Sequence, residues 1–363
     1  MAEPKIKIIL IGPVTNVAAG LIGGATISFG YLIDYLKRNE EPFQLVNTQK
    51  VPKGLGRIFN PFYVLLKVLR YAPGSDVIFL NSSRGGTKYL VPLLYVITKI
   101  FRLKFVFRPF GGDIKDYTAL YSNFQKWLFK KTVLQADIFF LQTKELMTFY
   151  AGKNANTIQL PTSREMPKKE FVRPNRPFGK RFIYLGFINE AKGIDHLIEA
   201  DKGLGDDYTI DVYGPIKEAK YEQTFKDNSK LYKGVLAKEE VLPTLRQYDV
   251  LILPTYYRGE GYPGSILEAY SLGLPVITTH WKAIPEIVKH AETGLLITPK
   301  STDQLIKAIK HFNKENYPTF SANAIQYFEN TFDTEQVTHK AISTIKKLFE
   351  KQGQTKGITK KQL

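Results

Sequence analysis

Short runs of β-branched and aromatic residues recur along this chain, each closed by glycine or proline and followed by a longer amphipathic stretch. A strand that is apolar on both faces has to be covered by helices on both sides, so this alternation predicts parallel sheets wound with helices. The first instance is residues 5–11, which run directly into Gly12 and Pro13. Residues 20–24 then open a helix over residues 25–38. Residues 76–80, 104–107 and 137–141 continue the series. A charged, proline-rich stretch from Pro161 to Pro177 interrupts it, and the pattern restarts at residues 182–185, 208–213, 250–253 and 275–278. The fold class expected is therefore α/β, with two Rossmann-like, doubly wound parallel-sheet domains over residues 1–165 and 179–330. Between them lies a linker at residues 166–178. A helical segment over residues 331–350 and a polar tail over 351–363 follow.

Composition narrows the chemistry. Hydrophobic residues are 44% and charged residues 23% of the 363, enough to bury two sizeable cores. Cys is absent, which excludes a disulfide scaffold, a thiol nucleophile and a thiolate zinc site. Residues 1–5 lack the order of an export leader. The uncharged stretch from Ile8 to Ile33 is broken by five Gly and Pro13, so it reads as strand, loop and helix rather than a membrane span. A cytoplasmic protein is expected. Lys and Arg total 51 against 34 acids, and residues 1–175 hold 25 against 11, so nearly all of the net +17 belongs to the first domain. Its basic residues alternate with aromatics at residues 62–71 and 124–131. Such segments either lie on an anionic membrane surface or are ordinary core-facing helices with a solvated basic side. No helix-turn-helix, zinc or RNA-recognition pattern accompanies the charge, so no nucleic-acid partner is expected.

The densest chemistry lies after residue 253. A strand end is followed by Arg258, Gly259, Glu260, Gly261, Tyr262, Pro263 and Gly264, and then by a helix from Ser265 to Leu272. Backbone amides at such a helix start have no acceptor within the helix, so they suit phosphate or sugar hydroxyls. Glu260 and Glu268 bracket the loop, and ionised carboxylates accept the paired hydrogen bonds that sugar and ribose diols offer. Gly259, Gly261 and Gly264 also spell the dinucleotide pattern G-x-G-x-x-G. Tyr256, Tyr257 and Arg258 stand between the strand and the glycines, and no acid ends the next strand at Thr279 and His280, so a dinucleotide site is not expected.

In order, Glu260-x7-Glu268, Ala269, Gly273-Leu274-Pro275-Val276-Ile277, Pro285-Glu286 and residues 293–299 resemble the C-terminal signature of retaining glycosyltransferases of family 4. That family has the GT-B fold, two Rossmann-like domains facing across a cleft. The resemblance implies a UDP- or GDP-sugar donor, retention of anomeric configuration, and no cofactor or metal; the first domain also lacks an Asp-x-Asp pair. It implies catalytic roles for Glu260, Lys192 and Asp113. Glu260 would bind hydroxyls of the donor sugar, Glu268 the ribose, and the loop Gly261, Tyr262, Pro263, Gly264 and Ser265 the sugar and diphosphate. Lys192 matches a diphosphate-gripping lysine. Phe187 and Ile188 stand where the family carries an arginine, and Arg258 is the replacement nearest the donor loop.

In the first domain, Gly23 and Gly24 resemble a loop that approaches the diphosphate, although a packing role remains open. The stretch Arg108, Pro109, Phe110, Gly111, Gly112, Asp113 resembles a segment that often reads His-Gly-Gly-Asp. With Phe110 in place of the His, the acceptor side falls to Arg108, Phe110 and Asp113, unless Asp113 caps a turn. Base contacts are expected near Gly234, Val235 and Leu236. The resemblance further returns residues 331–350 to the first domain. Taken with the basic, aromatic surface of the first domain, it implies work in cell-surface polysaccharide synthesis on a saccharide, lipid-linked acceptor, and the excess charge would hold that domain on the inner face of the membrane. A GT-B sugar-nucleotide epimerase, a noncatalytic subunit and, more remotely, a nucleic-acid-binding protein stay open as alternatives.

Overall fold

The computed structural model describes residues 5–15, 24–49, 56–82, 84–154, 156–168, 177–227 and 230–359. The chain divides into two compact units, Met1–Thr162 with Thr334–Leu363, and Ser163–Asp333.

Unit 1 begins with β1 (Ile8–Gly12), α1 (Gly24–Arg38), β2 (Phe43–Asn47), α2 (Gly56–Tyr71), β3 (Val77–Ser82) and α3 (Arg84–Phe101). It continues with β4 (Lys104–Pro109), α4 (Ile114–Ala119), α5 (Asn123–Lys131), β5 (Ile138–Leu141), α6 (Lys144–Tyr150) and β6 (Thr157–Gln159). The six strands pair in parallel in the order β2-β1-β3-β4-β5-β6. Successive residues of β1 and β3 serve opposite faces of the sheet. Ile9, Ile11, Ile78 and Leu80 join the core under α2 and α3, whereas Ile8, Leu10, Val77 and Phe79 join the core under α1. Each such fully buried side chain contributes roughly 1.5–3 kcal/mol, which is what fixes helices to both faces.

Unit 2 comprises β7 (Arg181–Leu185), α7 (Ile194–Lys202), β8 (Thr209–Tyr213), α8 (Lys220–Asp227), β9 (Tyr232–Gly234) and α9 (Lys238–Leu245). After these come β10 (Val250–Leu253), α10 (Gly264–Ser271), β11 (Val276–Thr279), β12 (Gly294–Ile297), α11 (Thr302–His311) and α12 (Tyr317–Thr331). Its sheet is again six-stranded and parallel, in the order β12-β11-β10-β7-β8-β9. The chain winds outward from β7 through β8 to β9, then lays β10, β11 and β12 on the other side of β7. Strand order thus reverses between β7 and β10. At such a reversal the two following loops part at the carboxyl edge and leave a crevice.

The last helix, α13 (Thr334–Thr359), belongs to unit 1, where Val337, Ala341, Ile342 and Ile345 share a core with Phe29 and Leu32 of α1. Three details differ from the sequence expectation. A helical segment was expected from residue 331, yet α12 ends at Thr331 and α13 starts only at Thr334. The break has a packing cause: Phe328 and Phe332 are buried in the core of unit 2, whereas Val337 and Ile345 are buried in that of unit 1. The backbone of α13 is helical to Thr359, into residues read as a polar tail. The units divide at Thr162 and Ser163, ahead of the expected linker, because Arg164 is anchored inside unit 2.

Candidate functional site

The loops after β7 and β10 meet at the carboxyl edge of unit 2, where strand order reverses. After β7, the Asn189 side chain accepts from the Lys192 amide and so caps a 3-10 turn over Glu190–Lys192. Gly193 ends that turn at φ 78, with its α-carbon so close to the next loop that a Cβ would lie 2.2 Å from the Pro254 carbonyl oxygen. Only glycine fits there. The Tyr256 amide donates to the Ala191 carbonyl at 2.7 Å, which stitches the two loops together.

This stitching brings together Glu260, marked by its place in the glycine-rich loop, and Lys192, marked by the family resemblance. Lys192 Nζ donates to Glu260 Oε2 at 2.6 Å, and Thr255 Oγ1 donates to the same oxygen at 2.7 Å. Both side chains of the ion pair are largely buried, 13% exposed for Lys192 and 8% for Glu260. Lys192 is therefore no ordinary surface lysine. Its ammonium also lies 5.1 Å from the centre of the Tyr257 ring. Beneath the pair, burial first and then the Glu260 carboxylate push the Tyr184 phenol well above its ordinary pKa, so it stays a donor, to the Phe187 carbonyl at 2.6 Å.

Gly261, Tyr262 and Pro263 are buried and lead into α10. Pro263 caps the helix without a side-chain hydrogen bond, so the amides of Gly264 and Ser265 point out of the helix start with no acceptor within it. The Tyr262 hydroxyl donates to Glu286 Oε2 at 2.6 Å and fastens the loop to the protein, which leaves its backbone amide out of that contact. Glu268, one turn into α10, is joined by a residue that spacing did not reveal. Arg164 Nε donates to Glu268 Oε1 at 2.7 Å, and the arginine side chain is 4% exposed. Its guanidinium crosses the start of α10 so closely that a Cβ on Gly264 would collide with it.

Arg258 sits exposed on the turn before Glu260. Lys217, from the loop after β8, lies beside Phe187, its Nζ 4.9 Å from the ring centre. Gly234 ends β9 at φ 97 on the same carboxyl edge, with Val235 exposed and Leu236 half-buried beside it.

In unit 1, Gly24 is the exposed first residue of α1, and Gly23 lies outside the described residues. Asp113 makes no capping hydrogen bond at the start of α4; its Oδ2 accepts from the Arg84 guanidinium, Nε at 2.8 Å. Arg108 is buried, and desolvation lowers its pKa to about 10, which leaves it charged at neutral pH. It donates to the Pro161 carbonyl at 3.4 Å and stacks over Phe110 at 5.6 Å, so it faces the interior of the unit. Among the described residues no group of three or more His, Asp or Glu could hold a metal ion.

Residues 179–314 match the family profile described as glycosyl transferases group 1. Over 293 residues the chain is 23% identical to an uncharacterized 41.2 kDa protein in the cps region of Klebsiella pneumoniae, covering 75% of this chain and 80% of that one. Over 142 residues it is 31% identical to the amylovoran biosynthesis glycosyltransferase AmsK of Erwinia amylovora, which covers 36% of this chain and 34% of AmsK. Among solved structures, Anabaena HepE in complex with UDP and glucose superposes with a TM-score of 0.68 at 16% identity, over 94% of this chain and 99% of HepE. Unit 2 thus carries a group 1 glycosyltransferase domain, and the chain as a whole has the GT-B fold that its motifs imply.

Proposed function

We propose that this protein is a retaining glycosyltransferase that moves a sugar from a UDP- or GDP-sugar to a saccharide acceptor, lipid-linked, in the synthesis of a cell-surface polysaccharide. The observation that carries the reading is the buried Lys192–Glu260 pair where strand order reverses, beside the uncapped start of α10. AmsK and the cps-region protein support the biosynthetic setting by their names, and HepE, solved with UDP and glucose, supports the class of donor.

In this reading, Lys192 and Glu260 neutralise one another while the site is empty. An arriving diphosphate competes for Lys192 Nζ and frees Glu260 Oε2 to accept from sugar hydroxyls. Arg164 holds Glu268 by Oε1 and so sets the carboxylate for the ribose diol. The bond between the anomeric carbon and the diphosphate oxygen breaks as the acceptor hydroxyl attacks from the same face, and the hydroxyl proton passes to the departing phosphate. Negative charge grows on that phosphate, where Lys192 and the α10 amides already point, so stabilisation is greatest in the transition state. Neither a protein nucleophile nor a metal enters this account.

The test starts with a thermal-shift panel of nucleotide sugars, because a ligand that binds only the folded state raises the melting temperature. Transfer of radiolabel from the stabilising donor to saccharide is then measured. Glu260→Ala and Glu268→Ala proteins that remain folded should lose transfer by about 10²-fold or more, the scale of a lost transition-state contact. Undiminished turnover in both variants overturns the assignment, and interconversion of the donor sugar without transfer identifies an epimerase.

A further inference from the structure

We propose that unit 1 docks on the surface of an anionic lipid bilayer through the outer faces of α2, α3 and α5. On α2, Phe59, Phe62, Leu66 and Leu69 recur at helical spacing and are all exposed, Phe62 by 64% and Leu66 by 68%. The core needs only the opposite side of this helix, where Val64 and Val68 are buried. The same holds for α3: Leu90, Val91, Leu94 and Ile97 face the core, while Tyr89, Leu93, Val96 and Ile100 face out, Ile100 by 67%. A helix apolar all round belongs in a protein interior or in lipid, yet one side of α3 meets water. On α5 no residue is buried; Phe124 and Trp127 are exposed, with rings stacked 5.8 Å apart. α3 packs against both α2 and α5, so the helices that carry the three stripes are neighbours.

Charge selects the occupant. None of the three helices contains Asp or Glu, and each carries three Lys or Arg. Several of these lie against rings at the surface: Lys99 is 4.8 Å from the centre of the Tyr95 ring, and Lys67 is 5.7 Å from that of Tyr71. A second copy of the chain would oppose like charge with like. An anionic bilayer instead neutralises the cations while its acyl boundary takes up the apolar side chains. No helix of the described residues is long and apolar enough to cross a membrane, so the mode is interfacial. The surface lies wholly in unit 1 and owes nothing to the donor site, so the proposal holds or fails apart from the reading above.

The test is flotation of the full chain with phosphatidylcholine vesicles, with and without phosphatidylglycerol, at low and high salt. The wild-type protein should float with the anionic vesicles only. Trp127 fluorescence should shift to the blue on binding. The paired variants Phe62→Glu with Leu66→Glu, and Ile100→Glu with Trp127→Glu, alter exposed positions and should keep the wild-type melting temperature while the bound fraction falls about tenfold or more. Flotation of both variants as wild type overturns the proposal, as does failure of the wild-type protein to float. Self-association abolished by the same substitutions, without vesicle binding, assigns the face to a second copy instead.

Discussion

Arg164 shows how much of this site depends on a single side chain far away in sequence. It reaches Glu268, 104 positions on, and both partners are largely withdrawn from water. Breaking a buried ion pair leaves a desolvated charge behind, so Arg164→Ala should cost about 3 kcal/mol, whereas replacing both partners with apolar residues should cost much less. Thermal unfolding of Arg164→Met, Glu268→Leu and the double variant measures the coupling. Additive losses would mean that the pair does not act as a unit. Glu260 and Glu268 were legible in the sequence because they bracket a glycine turn between a strand end and a helix start, and Lys192 was legible through its match to a family motif. Arg164 was not, since it lies in a basic, proline-rich stretch in which a buried guanidinium and a solvated one look alike. Lys217 was hidden for a related reason: its closeness to Phe187 exists only once β7 and β8 are paired.

At the scale of elements, the strands read from sequence were those at the centre of each sheet. β1, β3, β4 and β5 in unit 1, and β7, β8, β10 and β11 in unit 2, have neighbours on both sides and show as apolar runs. The strands missed, β2, β6, β9 and β12, are the four edges, short and largely half-exposed except for β12. An edge strand buries less side chain, so its pattern fades into that of a loop. Loops carry the other hidden information. Gly193 lets the turn after β7 close on the loop after β10, and Gly193→Ala would combine a left-handed backbone with a Cβ 2.2 Å from a carbonyl oxygen. We expect a loss of about 2–4 kcal/mol, the range of strained-backbone and overpacking costs together. Hydrogen exchange should become faster at the amides of Gly193 and Tyr256, and exchange unchanged from wild type would show that the two loops do not depend on this contact.

For the whole molecule, the aromatic content sets a limit at high pH. Burial raises the phenol pKa of Tyr117, Tyr184, Tyr248 and Tyr270, and pushes that of Tyr150 up to about 12. In the unfolded chain the same phenols ionise near pH 10. The unfolded state therefore holds fewer protons than the folded one above that pH. Stability should be unaffected by these groups below pH 10 and should fall as pH rises through the raised values. Alkaline unfolding followed by circular dichroism should coincide with a block of tyrosinate absorbance, and Tyr184→Phe should shallow the slope. Free titration of all tyrosines near pH 10 in a protein that stays folded would contradict this.

The position of Arg164 also bears on how the protein can be shortened. The stretch that matches the family profile, residues 179–314, starts after Arg164 and stops before α12, which packs against α10 and carries the buried Phe328, with the buried Phe332 just beyond it. A fragment trimmed to those limits would lose the guanidinium that compensates Glu268, together with the wall behind the helix that bears it. Any excised version of this half needs the whole of Ser163–Asp333, because the inherited motif is smaller than the piece of chain able to support it.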